Sequence, residues 1–305
     1  MAEQFCRVSD DIELCYETFG DPSDPTMLLI MGLATQMIAW NDDFCRQLAE
    51  RGFHVVRFDN RDIGRSTHVK AKPPTLWQLL RRSKRAASYT LEDMADDAAG
   101  LLRELDLAPA HVVGASMGGM IAQALAARHP ELVLSLTSIM STTGNRRVGQ
   151  PALRLFPMLA ARPAKGREAA IERAEKVFTA VGSTGLERDM EHLRDIAGRS
   201  FDRGRGDAAG QARQLAAITA SGDRTRSLRR IKAPTVVIHG TADPLIRPSG
   251  GRATVRAIPH AELVEIEGMG HDLPRGAWPR IVDAIVANAR RAAEPVSAVG
   301  AVARP

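Results

Sequence analysis

The chain of 305 residues and 33.0 kDa is long enough to bury one large core, with or without an insertion. Its 44% hydrophobic and 25% charged residues exclude a largely disordered polymer, and no apolar run reaches the roughly 20 residues that a membrane helix needs. The net charge of +5 is concentrated in Leu79 to Ala86, Gly144 to Arg147 and Arg224 to Arg230; without interleaved aromatics these segments read as a solvated basic face, not as a nucleic-acid site.

The opening "MAEQFCRVSDDIELCYE" is acidic and has no apolar core of signal-peptide length, so a cytoplasmic protein without stable membrane insertion is expected. "FCRVSD" and "IELCYETFG" flank a polar turn at Asp10 and Asp11 and predict an antiparallel hairpin at a sheet edge. Cys6 and Cys15 lie in this hairpin and Cys45 beyond it; their spacing suits no metal, and buried free thiols are expected rather than a disulfide.

Six nearly continuous apolar runs follow: Met27 to Gly32, His54 to Asp59, His111 to Ser116, Leu132 to Met140, Thr235 to Gly240 and Ala261 to Gly268. They read as strands buried on both faces. Helical patterns at Asp42 to Arg51, Thr90 to Leu105, Met117 to Arg128, Pro248 to Ala257 and Trp278 to Arg291 alternate with them, which predicts an α/β fold with a mainly parallel central sheet. The rhythm breaks where an Ala- and Arg-rich stretch offers no strand. The division is therefore core at 1–142, inserted helical cap at 143–230, core again at 231–292 and a flexible tail at 293–305. Trp77, Leu79 and Leu80, in a smaller excursion, either line a substrate entrance or pack on the core. The same two readings apply to Leu153, Leu155, Phe156, Met158 and Leu159 in the cap.

Chemistry concentrates at "GASMGG". Gly114 and Gly118 flank Ser116 two residues to either side, which clears a sharp strand-to-helix turn and exposes the hydroxyl at its tip. A dinucleotide fingerprint and a phosphate loop both fit poorly, because a serine holds the middle and the phosphate-loop lysine is missing. A serine hydroxyl needs a base, and in a parallel sheet that base must come from the rim at the carboxyl ends of the strands. Of eight histidines, His271 follows the last strand directly and sits on that rim, whereas His54, His111 and His260 belong to the other. Asp243, after the strand that reopens the core, is the candidate acid; Asp59 reads as structural, and Asp272 adjoins the base too closely to turn back on its ring. Candidate oxyanion donors are the amides of Met117, directly after the serine, and Leu33, after Gly32. Gly32, Gln36 and Trp40 beside that loop are candidate substrate contacts, with sheet packing as the other reading of the tryptophan.

These residues resemble the α/β-hydrolase superfamily over essentially the whole chain except the tail. "FDNRDIGRS" is similar to the family's Asp-x-Arg-x-x-Gly-x-Ser turn, "APTVVIHGTADP" to its acid strand and "GMGHD" to its histidine loop. The segment Leu28 to Asp62 resembles the branch holding aclacinomycin methylesterase and its lipase and esterase relatives, with Met31-Gly32 in place of the usual His-Gly. The resemblance implies a serine esterase that cleaves small to medium carboxylic esters through an acyl-enzyme, with no cofactor or metal. Carbon–carbon bond hydrolases and cofactor-free perhydrolases share the triad, and a non-catalytic ligand receptor on this fold is the alternative from another class. Serine at the elbow argues against haloalkane dehalogenases and epoxide hydrolases, which carry a carboxylate there. No feature of the sequence specifies an oligomeric state.

Overall fold

Short β-branched runs that are apolar on both faces can satisfy their backbones only by pairing inside a covered sheet. In the computed structural model, which describes residues 2–75, 77–78, 86–155, 166–204 and 208–293, these runs do so. Among the described residues eight strands form one sheet: β1 (Gln4–Arg7), β2 (Glu13–Phe19), β3 (Thr26–Ile30), β4 (His54–Phe58), β5 (Ala110–Ala115), β6 (Val133–Ile139), β7 (Thr235–Gly240) and β8 (Glu262–Ile266). The spatial order is β1-β2-β4-β3-β5-β6-β7-β8. β1 and β2 make the edge hairpin and pair antiparallel, as do β2 and β4; every other pairing is parallel.

The helices, in chain order, are α1 (Asp42–Ala49), α2 (Leu91–Glu104), α3 (Met117–Arg128), α4 (Arg167–Val181), α5 (Met190–Arg203), α6 (Ala208–Ser221), α7 (Thr225–Leu228), α8 (Ser249–Ala257) and α9 (Trp278–Ala293). Their starts are written in the sequence. The Asn41 side chain accepts from the Asp43 amide ahead of α1, and Thr90 and Asp93 cap each other reciprocally at α2. Two-residue alternation divides each central strand between two cores: Leu28 and Ile30 of β3 pack with residues of α2 and α3, whereas Met27 and Leu29 pack with residues of α1 and α9.

Some boundaries differ from expectation. α1 stops at Ala49 because Gly52, at φ 87°, turns the chain back toward β4. β8 is an edge strand, so Glu262 and Leu263 are exposed instead of buried on both faces. Cys6 and Cys15 point to opposite faces of the hairpin, Cys6 with Leu14 and Tyr16, Cys15 with Met37 and Ile38; both are free and buried, as is Cys45. Between β6 and β7 every described helix or strand is helical, from α4 to α7. Leu155 is buried against Ala152 and Val181, while Leu153 and Trp77 are exposed. Leu79, Leu80, Phe156, Met158, Leu159 and the tail beyond Ala293 lie outside the described residues. No described helix is long and apolar enough to cross a membrane.

Candidate active site

β5 ends at Ala115 and α3 begins at Met117, so Ser116 alone makes the bend, at φ 56° and ψ −119°. That left-handed conformation is costly for an L-residue and persists only where the surroundings impose it. Here a Cβ on Gly114 would fall 2.2 Å from the Gly118 carbonyl oxygen, and one on Gly118 would fall 2.0 Å from that of Ile30, so only glycine fits at either place. The bend is also tied down: the Ser116 amide donates to Ile139 O at 2.9 Å, and Ser116 O accepts from Ser141 Oγ at 2.9 Å.

His271, on the loop after β8, lies with Nε2 2.9 Å from Ser116 Oγ and Nδ1 2.7 Å from Asp243 Oδ2. A carboxylate only accepts, so Nδ1 carries the proton and Nε2 turns its lone pair toward the serine hydroxyl. Asp243, after β7, has a fully buried side chain whose Oδ1 accepts from the amides of Leu245 and Ile246, both at 2.9 Å. The His271 amide donates to Val181 O at 2.8 Å, so the last residue of α4 holds the histidine loop from the side of the insertion.

Gly32 brings the loop after β3 close to the serine; a Cβ there would sit 3.1 Å from Ser116 Cβ. Leu33 follows it, and Met117 is the first residue of α3, where a backbone amide has no partner within the helix. The structure thus gathers Ser116, Asp243 and His271 by direct contact, and sets Gly32 against the serine.

Two other expectations are corrected. Gln36 is buried and its amide is engaged by α5, donating to Ser200 O at 2.7 Å and accepting from Arg203 Nη1 at 2.8 Å. Trp40 has no exposed surface: it stacks on Phe44, which meets Trp278 edge-on, so the packing reading holds. Asp59 is structural, as expected, accepting from the Met37 and Arg65 amides and pairing with Arg203 at 2.6 Å. Burial pushes its carboxyl above the usual carboxylate range in spite of Arg203. Asp272 faces Ser183, accepting from its amide and hydroxyl at 2.9 and 2.6 Å.

His239 has a part that its place inside the apolar run of β7 does not announce. It is wholly buried in β7, Nε2 donates to Ile246 O at 2.7 Å, and the same nitrogen stands 3.7 Å from Asp243 Oδ2. Burial holds it below the usual histidine range, hence neutral. It braces the turn that presents two amides to Asp243. Its position four residues before that aspartate was the available signal. Among the described residues, no group of three or more His, Cys, Asp or Glu is placed to hold a metal.

A family model described as the alpha/beta hydrolase fold matches residues 25–274. The chain is 30% identical to rhodomycin D methylesterase of Streptomyces sp. strain C5, over 93% of this chain and 97% of that protein. It is equally 30% identical to the rhodomycin D methylesterase of Streptomyces peucetius, with the same coverage. Among solved structures, the enol-lactonase from Burkholderia xenovorans LB400 superposes with a TM-score of 0.69 at 25% identity, covering 95% of this chain and 99% of that one.

Proposed function

This chain belongs to the α/β-hydrolase family and is a carboxylic ester hydrolase, and from that premise we propose that it works by a serine-centred acyl-enzyme mechanism. Ser116 Oγ attacks the ester carbonyl while His271 Nε2 takes its proton. The developing oxyanion is met by the amides of Leu33 and Met117, with the N-terminus of α3 adding a favourable dipole. His271 returns the proton to the leaving alcohol, and water repeats the sequence on the acyl-enzyme. Asp243 holds the imidazole tautomer and stabilises its protonated form. The single observation that carries this reading is the continuous contact from Ser116 Oγ through both ring nitrogens of His271 to Asp243, at 2.9 and 2.7 Å.

Helices α4 to α7 serve as a cap over this rim, a role supported by the bond from His271 N to Val181 O. The substrate class that the relatives support is a methyl ester, since two relatives covered almost end to end are named rhodomycin D methylesterases. The test is labelling with a fluorophosphonate followed by peptide mapping, together with turnover of p-nitrophenyl and methyl esters. Label is expected on Ser116, and Ser116→Ala should lower kcat by about 10⁴-fold or more. Unlabelled folded protein, or an alanine variant that turns over normally, would refute the mechanism.

A further inference from the structure

Gln214 is completely buried on α6, yet its amide serves two loops of the core rather than its own layer. Oε1 accepts from the Ala34 amide at 2.9 Å, and Nε2 donates to Arg61 O at 2.8 Å. Ala34 directly follows Leu33 and holds a positive φ of 55°, which an alanine keeps only under external restraint. Residues 31–35 of this loop are restrained further by bonds within the core. Thr35 N closes the turn onto Gly32 O at 3.3 Å, Thr35 Oγ1 donates to Leu33 O at 3.0 Å, and Asn60 Nδ2 donates to Met31 O at 2.9 Å. The peptide joining Leu33 to Ala34 is therefore gripped at both ends, its carbonyl by Thr35 and its N–H by Gln214. The neighbouring residue, Arg213, seats the helix by a bidentate pair with Asp62, at 2.8 and 2.7 Å. Two successive residues of α6 thus hold the turn at 61–62 and the loop at 33–34 together.

We propose that Gln214 is a positioning residue for the oxyanion hole, transmitting the docking of α6 to the Leu33 amide. The inference rests on the assignment of Leu33 as a donor. With the Gln214 acceptor gone, the Ala34 N–H is left without its partner, the left-handed turn relaxes, and the Leu33 N–H swings off the line to the oxyanion. Because that contact strengthens only as negative charge develops, kcat is affected and KM is not.

The measurement compares a p-nitrophenyl ester with its thiono analogue, in which sulfur, a poorer acceptor, replaces the carbonyl oxygen; the oxo-to-thiono ratio of kcat/KM then reports the hole itself. Loss of a whole donor costs about 10²- to 10³-fold, so Gln214→Met, similar in length but without acceptor or donor, should lower kcat on the oxo ester about 10- to 100-fold. Its KM should stay within about threefold and its oxo-to-thiono ratio should fall about tenfold, whereas Gln214→Glu, which keeps an acceptor for Ala34, should hold the ratio within about threefold of the parent. An unchanged ratio in Gln214→Met, or an equal fall in Gln214→Glu, overturns the proposal. If the methionine variant does not fold, Gln214→Asn, too short to reach Ala34, replaces it under the same criteria. Ser116→Ala separates this inference from its premise: if that variant stays active, the mechanism itself has failed, and if it is inactive while the Gln214 variants behave as the parent, only the positioning role has.

Discussion

At Asp243 the two carboxylate oxygens have different partners, and this separates chemistry from folding. Oδ1 accepts two backbone amides of its own turn, and Oδ2 faces His271. In Asp243→Asn the remaining carbonyl oxygen still satisfies both amides, while the NH2 group confronts Nδ1 and forces the unproductive tautomer. Steady-state kinetics should show kcat lowered by about 10³- to 10⁴-fold, with little change in the thermal midpoint. Gly118→Ala has the opposite profile. Its Cβ would lie 2.0 Å from Ile30 O, which is backbone and cannot swing aside, so urea unfolding should show a loss of about 2 kcal/mol or more. The contact of Ser116 with His271 and of His271 with Asp243 was legible because chain order, strand ends and residue type constrain these three residues together. Gln36 and Trp40 were not, because closeness in sequence to the loop after β3 does not fix where a side chain turns. Gln36 finds Ser200 and Arg203 in the insertion, and Trp40 stacks into a layer completed by Trp278 from the far end of the chain.

Among the elements, sheet strands and sheet-covering helices were readable because apolar periodicity reports directly on burial against a sheet. Helices α5 and α6 could be anticipated as helical but not placed. Their inward positions are occupied by Arg203, Arg213 and Gln214, which face polar loops at the strand ends and blur the apolar stripe on which placement depends. The Arg213 pair gives this layer a measurable anchor. Asp62 has no exposed surface and also accepts from Tyr89 Oη and the Val69 amide, so Arg213→Met strands a buried carboxylate that has lost its arginine and keeps these two donors among the described residues. Urea unfolding should show a loss of about 3 kcal/mol, and adding Asp62→Asn to the same chain should restore most of it, because the uncompensated charge is then gone.

For the molecule as a whole, His54, His111 and His239 are all held below the usual histidine range by burial, and His111 is pushed down to about 4. The unfolded chain binds a proton at such a site near pH 6.5, whereas the native state refuses it until about pH 4 for His111. Stability from this residue is therefore fully present above about pH 6.5 and is lost progressively as pH falls toward about 4. Buried Asp59, Asp97 and Asp272 are raised and act in the opposite sense, so the contribution is isolated by difference. His111→Asn, measured against the parent by thermal unfolding from pH 7 to pH 4, should show a shallower decline on the acid side. Glu3, at the outset of the polypeptide, accepts from both Arg65 of a core loop and Arg203 of α5, and Arg203 also reaches Asp59. A purification tag fused immediately ahead of this glutamate would pull on the same guanidinium that ties α5 to Asp59.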